Sequence, residues 1–590
     1  MLCCAFYYVY KMIRRRFLRT TGAALSAASL RQYTASGGYT RRYDPVQPAD
    51  FDIGMIYIPF VGNSFGRSTG ARMPAEGYYD MSDSDIINRQ IDQMQGHGVT
   101  TLMFNYGESI NDFDRFRQFR QAELTSEIAI EAFWTIHRPF QRGLDIERQI
   151  EFVREEMLPI ENYNTYEGRP VVQLWAAGAL YWNDDINEEL TETYGSPAAF
   201  IRWFRDELTV GNTEPYLICN DPHPGDRPVF AAEFDGFTDW FGGLFGRRYS
   251  WEEFTDTKYS NALYANLYAE HEGVDFIPTA VAGFDDSVAS GEFRGVVPKS
   301  PANLTEMLFD FSDAFRTRNR INIATFNDWM EGHQLEPGQM DGIEYGTAYL
   351  ERIKEYAYAK MGLTEDCRVM SVRNQKTQTC YQRGPKPTPW EFAPLELRFN
   401  KGVGEPGYVQ SFRLDELEFY DGEYESLARF EKVYAVGDTL TSFEDAAVIS
   451  AGGFWSDSNE DNSWVWLGSS LNAATIHIPS GILAEAVSGR IRGKPERPDT
   501  SASVVADGSV TDQLDFTEAG AEDHQFDLTQ SGDMQSSTDN GTESSQGEAS
   551  PSPQGAESVG ERPQIGVGGG SVLAGTAALG YYLFQKKRQE

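Results

Sequence analysis

Eight short apolar runs, most of them followed by a stretch of helical periodicity, lie between Phe51 and Leu363. The runs are Ile53–Phe60, Val99–Asn105, Ile128–Trp134, Val171–Trp175, Tyr216–Cys219, Val229–Phe234, Phe276–Val281 and Ile321–Phe326. Strands that are apolar on both faces must be covered on both, and intervening helices supply that cover when the strands run parallel. After the first run, Ile87, Ile91 and Met94 fall on one helical face, with Ser84 or Asp85 as N-cap and Gly96 to Gly98 as the stop. Ile150, Val153 and Met157 make a second stripe within Asp145 to Met157. Eight strand–helix units in about 310 residues predict a (β/α)8 TIM barrel. A doubly wound open sheet is the alternative, but no glycine-rich phosphate loop follows the first run.

In such a barrel the chemistry sits at the C-terminal ends of the strands. Those ends carry Tyr57 and Phe60; Asn105 and Tyr106; Trp134 and His137; Gln173 and Trp175; Asp221 and His223; Asp235 and Trp240; Asp285 and Asp286. The eighth is the richest: Asn327, Asp328, Glu331, His333, Gln334 and Glu336 surround Trp329. Glycosidic hydrolysis needs two carboxyl groups within several ångströms of each other, and Asp328 and Glu331 are the obvious pair. Aromatic rings stack on the apolar faces of pyranoses, while amides and acids bond their hydroxyls. Asn327, Trp329, Tyr106, Trp134, His137, Trp175, Asp285 and Glu336 are therefore the expected substrate contacts. The plain alternative is an acidic surface turn, with the tryptophans in the core.

Several of these segments resemble, in order, those of the glycoside hydrolase family 99 group and its WbsX-like relatives. They are IPF in the first run, Gly98-Val99 leading to LMFNY, AFWTIHR, YEGRPVVQLW, IPTAVAGFDDS and, most specifically, FNDWMEGHQLEP. The resemblance spans roughly Phe51 to Leu363 and implies a (β/α)8 barrel acting on α-mannoside or related polysaccharide linkages. The hydrolases carry Asn-Glu-Trp-x-Glu-Gly. Their first Glu helps the substrate's own 2-hydroxyl attack the anomeric carbon; the second is general acid, then base, with net retention. Asn327, Trp329, Glu331 and Gly332 match that pattern. Asp328 stands where the family has Glu and is one methylene, roughly 1.5 Å, shorter. Misplacement by about 1 Å can cost on the order of a hundredfold in rate. Three readings stay open: hydrolase, non-catalytic glycan-binding or envelope protein, and a WbsX-like glycosyltransferase. The last lacks a phosphate cradle or a convincing metal-binding DxD. No metal or organic cofactor is implied.

The formal charge of −37, from 88 acidic and 51 basic residues, leaves no basic face for phosphates and excludes nucleic acid as a partner. Scarce lysine and abundant acid suit solubility at high salt and suggest a halophilic source. Of the cysteines, Cys219 in PYLIC reads as core, while Cys367 and Cys380 flank a short polar segment and could pair in an exported protein. No Cys/His spacing suggests zinc. Arg14 to Arg16 ahead of an Ala-rich stretch resemble a twin-arginine export signal, with Met12 as an alternative start. Ile565 to Phe584 are uncharged and precede Lys586, Lys587 and Arg588, as in a membrane span with a cytoplasmic tail.

The expected organisation is an export signal at 1–38, the barrel at 39–363, a linker at 364–394 and a small all-β sandwich at 395–490. A disordered acidic Ser/Thr-rich stalk follows at 491–563, then a transmembrane anchor at 564–585 and a basic tail at 586–590. Such a chain would sit on the outside of the cytoplasmic membrane and meet polysaccharide or glycan there, with envelope glycan or surface-layer contacts.

Overall fold

Parallel pairing runs through a full circle of strands. The computed structural model describes residues 39–529 apart from 49, 60–71, 81, 108, 110, 221–232, 241–246, 288–294, 363–390, 401–411, 432, 435–445, 452–455, 459–464, 468–472, 496–499, 507 and 517–520. The barrel strands are β1 (Asp52–Tyr57), β2 (Thr101–Tyr106), β3 (Ala129–Thr135), β4 (Arg169–Trp175), β5 (Tyr216–Asn220), β6 (Gly236–Thr238), β7 (Asp275–Ile277 and Thr279–Val281, either side of Pro278) and β8 (Arg320–Ala324). Each pairs with the next. β8 returns to β1, with Ile53 opposite Ile321. The open-sheet alternative is thereby excluded.

The helices cover the outside as expected. Ile87, Ile91 and Met94 of α1 (Ser84–Gln95) are fully buried. Its N-cap is Asp83, one residue earlier than anticipated, with the side chain accepting from Asp85 N. Gly98 is required where the chain turns back: its φ is +94°, and a Cβ there would lie 2.4 Å from that of Ala357. The helix Ile146–Phe152 opens on Asp145 as N-cap and buries Ile150 before running into a π-turn, Val153–Met157, that buries Val153 and Met157.

One strand lies elsewhere than expected. β6 is Gly236–Thr238, not Val229–Phe234. Asp235-Gly236 has the composition of a chain breaker, but here Gly236 starts the strand because its neighbours come close. A Cβ on it would meet both the Asp275 side chain and the Tyr216 hydroxyl at 3.3 Å. Asp235 is thus at the bottom of the barrel, paired with Arg169 and Arg205 at 2.8 Å each.

Charged and amide groups fill the barrel interior. Arg320 pairs with Glu131 and, at 3.0 Å, with Asp52. Gln173 donates to Glu131 at 2.7 Å, and Asn322 donates to Gln173 and to Thr238 at 3.1 Å each. Thr238 bonds Thr279 at 2.9 Å. Gly54 leaves room for this network, since a Cβ there would sit 3.2 Å from the Arg320 guanidinium and from the Asn322 amide. Bonds that cross from β3 and β4 to β8 fix which residues point inward. Alternation then sends Asn105, Phe133, Thr135, Trp175 and Asn220 inward at the C-terminal mouth, and Tyr106 and Trp134 outward.

The second folded part is a sandwich of two six-stranded sheets. One contains Phe392–Asn400, Val433–Tyr434, Ala447–Ala451, Ala473–Pro479, Thr500–Ala506 and Ser509–Phe516. The other contains Phe412–Tyr420, Ser426–Phe430, Ser456–Ser458, Val465–Leu467, Ser488–Pro495 and Glu522–Asp527. This corrects the expected stalk, whose first part holds the strands Ser488–Pro495, Thr500–Ala506, Ser509–Phe516 and Glu522–Asp527. Averaged composition hides an alternation in which Ala502, Val504, Leu514, Phe516 and Phe526 enter the same core as Leu395, Leu417 and Ile476. Among the described residues, no helix is long and apolar enough to cross a membrane. The expected export signal, the Cys367–Cys380 segment and the Ile565–Phe584 span lie outside the described residues.

Candidate active site

The loop leaving β8 carries two layers of side chains. The inner layer anchors it. Asn327 is fully buried; its Oδ1 accepts from Ile58 N at 2.8 Å and its Nδ2 donates to Ile58 O at 2.9 Å, extending β1. Trp329 is also fully buried and donates through Nε1 to Glu336 at 2.7 Å. Glu336 further accepts from Tyr79 and Gln90, at 2.7 Å each, and burial pushes its pKa up to about 7. Asn327, Trp329 and Glu336 therefore hold the loop and do not line the mouth, which corrects their expected role as substrate contacts. Their amide, indole and carboxyl groups are spent on the protein.

The outer layer is Asp328, Glu331 and His333. Asp328 Oδ1 accepts from Met330 N and Glu331 N at 3.1 Å each, which turns the chain so that Glu331 stands beside it. Gly332 completes the turn with φ +69°, and a Cβ there would meet Asp285 O at 2.7 Å. His333 Nε2 lies 3.2 Å from Asp328 Oδ2 and 3.5 Å from Glu331 Oε2. Asp328 and Glu331 stay partly exposed, while the imidazole is buried. Burial opposes charge on Asp328, but His333 and the two backbone N–H groups outweigh it and hold its pKa below the usual value. Burial likewise opposes the imidazolium, and the two carboxylates outweigh that and raise the pKa of His333. One donor atom from each of the three lies within 4.8 Å of the others. Two carboxylates at that distance repel by roughly 3 kcal/mol at an effective dielectric of about 20, a cost the imidazole offsets. The spacing would also suit a metal ion.

Neighbouring elements hold this layer in place. Arg72 donates to Met330 O at 2.9 Å and pairs with Asp285 at 2.9 Å. Burial opposes charge on Asp285; Ser287 and Arg72 outweigh it and keep its pKa low. Asp285 N donates to Glu331 O at 2.9 Å, so Asp285 lies beside Glu331, with its carboxylate taken by Arg72. Across the imidazole, Trp240 stands edge-on to His333 at 5.6 Å, stacks with Phe133 at 6.0 Å and meets Trp175 at 6.3 Å. Trp175 and Trp240 are partly exposed. His137 packs on Trp175 at 5.5 Å and is kept neutral, its pKa lowered to about 3 by burial and then by Arg138. Asn220 adds a buried amide nitrogen with no acceptor among the described residues.

Trp175, His137 and Asp285 thus join the carboxylate pair at the mouth, while Tyr106 and Trp134 do not. Tyr106 stacks with Phe113 and Phe152 and meets Trp134 edge-on at 5.1 Å, and Trp134 meets Phe204 at 5.0 Å, all beneath the helices. Arg72 and the pair Asp239–Lys258 border this cluster without having been singled out from the sequence, which named His333 only within the polar run and gave it no role. Lys258 donates to Asp239 and, at 2.7 Å, to Trp240 O, fixing that ring's backbone. Burial pushes both toward neutrality, Asp239 up and Lys258 down. The one available signal was the five-residue step from Asp328 to His333 within a single loop.

No protein-family model matches the chain, and no curated protein does. Among solved structures, the chain is similar to a GH99 endo-alpha-mannosidase from Bacteroides thetaiotaomicron: 17% identity over 53% of this chain and 98% of that one, TM-score 0.40. A glycoside hydrolase-like protein aligns at 17% identity over 56% of this chain and 97% of that one, TM-score 0.38. A GH138 enzyme targeting pectin rhamnogalacturonan II aligns at 9% over 56% and 40%, TM-score 0.30.

Proposed function

We propose that this protein is a retaining glycoside hydrolase acting on α-linked, mannose-type polysaccharide or glycan. The observation that carries the reading is the Asp328–Glu331 pair: two partly exposed carboxylates with oxygens within 4.8 Å, at the mouth of a closed barrel, facing an aromatic wall. Retaining enzymes keep their carboxyls close, whereas inverting ones need about 6.5–9.5 Å to admit a water. Glu331 gives its proton to the glycosidic oxygen as that bond to the anomeric carbon breaks. Asp328 takes the proton of the 2-hydroxyl, whose oxygen bonds to the anomeric carbon from the opposite face. Water then attacks that carbon, giving a proton to Glu331, and the 2-oxygen regains its proton from Asp328. Two inversions leave net retention. Asp328 Oδ2 keeps a second lone pair for this role beside its bond to His333.

The second reading, glycan binding without turnover, draws on the same loop, because Asp328 is shorter than the glutamate it replaces and is held by three donors. The export-signal-like segment 1–38 and the apolar segment 564–585 support placement on the outer face of the cytoplasmic membrane, with envelope glycan in reach. The test is release of reducing sugar from a panel of α-manno-oligosaccharides and mannan by wild type and Glu331→Gln. Wild type should cleave at least one substrate, and the variant should lose about 10²–10⁴-fold. Undiminished cleavage by Glu331→Gln would overturn the assignment, and binding without any release would support the second reading.

A further inference from the structure

Resting on that reading of the site, we propose that His333 is a positioning residue whose single Nε2–H serves Asp328 and Glu331 in turn. An imidazole nitrogen carries one proton and makes one strong hydrogen bond at a time. Here the same nitrogen is within bonding distance of Asp328 Oδ2, at 3.2 Å, and only 0.3 Å further from Glu331 Oε2, at 3.5 Å. The ring cannot wander: it is buried, with Trp240 edge-on at 5.6 Å and Phe284 at 5.8 Å. Burial also keeps it from substrate, so it acts only through the carboxylates. Charged groups on neighbouring described residues have partners of their own. Asp285 holds Arg72, Lys299 holds Gln334 O, and Asp239 holds Lys258 behind Trp240.

The consequence lies in the catalytic cycle. While Glu331 carries its proton, Asp328 is the better acceptor and keeps the N–H. When Glu331 passes that proton to the glycosidic oxygen, it becomes the new anion, while Asp328 is neutralised by the 2-hydroxyl proton. The N–H then tilts by a few tenths of an ångström toward Glu331 and stabilises the charge just formed. His333 thus matches whichever carboxylate is ionised, without leaving its place.

The test needs no turnover. In full-length protein with ¹⁵N-labelled histidine, the buried Nε2–H should give a downfield proton signal, assigned by its absence from His333→Gln or, should that chain not fold, by elimination among the seven histidines. Handover predicts that the signal survives Asp328→Ala at a shifted position, moves in Glu331→Ala, and disappears in the double alanine variant, which leaves the N–H neither acceptor. Loss in Asp328→Ala alone would show an imidazole that belongs to Asp328 only and would overturn the proposal. So would persistence in the double variant, or a signal indifferent to Glu331→Ala. A chain that cleaves no glycoside can still show handover, and an active hydrolase can fail to, so this outcome is separate from that of the hydrolysis assay.

Discussion

Replacing Glu336 by Gln should make the protein more stable at pH 8 while leaving it no more stable at pH 4.5. The carboxyl is about 6% exposed and accepts from Tyr79, Trp329 and Gln90. Burial outweighs those bonds and lifts its pKa from 4.5 to about 7. A carboxyl whose folded pKa is raised contributes stability fully present below its unfolded pKa and lost as pH rises through the folded one. The window is therefore pH 4.5 to about 7, and at about 1.4 kcal/mol per pH unit the loss in wild type is roughly 3 kcal/mol. Glutamine does not titrate. It can keep the bonds from Tyr79 and Trp329 if Gln90 flips its amide, at a cost of about 1 kcal/mol. The variant should thus be slightly weaker than wild type at pH 4.5 and about 2 kcal/mol stronger at pH 8. Urea unfolding of both chains at the two pH values, followed by tryptophan fluorescence, reads this difference, and groups common to both chains cancel. An equal gap at both pH values, or a variant weaker at pH 8 than at pH 4.5, would refute the reasoning.

Arg320→Met leaves Glu131 as a buried charge without its cation and removes the partner of the partly exposed Asp52, and should cost about 3–5 kcal/mol in urea unfolding; a loss under about 1 kcal/mol would mean the interior network is not what holds the barrel. Trp175→Ala, at the aromatic wall, should raise KM for a cleaved glycan about three- to tenfold with kcat little changed, as read from initial rates. Tyr106→Phe should change neither constant, because Tyr106 faces the helices and its hydroxyl, among the described residues, donates to Gln149 O at 3.3 Å.

The barrel was legible because its period is: apolar runs separated by helical stripes leave little else for the chain to build. Where within a run the mouth begins was not legible. Tyr106 and Asn105 are adjacent, as are Trp134 and Thr135, and a step of one residue flips a side chain to the other face of a strand. Only the cross-barrel bonds of Glu131, Gln173 and Asn322 settle the parity. Asp235 was placed after the sixth run because the apolar run Val229–Phe234 ends there, whereas the strand itself starts at Gly236, where close neighbours leave little room for a Cβ. In the eighth loop, Asp328 and Glu331 were found by their chemistry. The division of the motif into anchors and site was not, since Asn327 is spent on Ile58, Glu336 on Tyr79 and Gln90, all more than two hundred positions away, and Trp329 on Glu336. The sandwich strands beyond 491 vanished into an averaged polar composition, although Leu514, Phe516 and Phe526 kept their alternation.

The central claim is that Glu331 and Asp328 together cleave an α-linked glycan with retention. Proton NMR of the sugar released in the first minutes, before mutarotation, tests it most directly. The account predicts that the α-anomer appears first from wild type and that Glu331→Gln releases none on the same timescale. A β-anomer appearing first, or α-anomer released as fast by Glu331→Gln as by wild type, would contradict it.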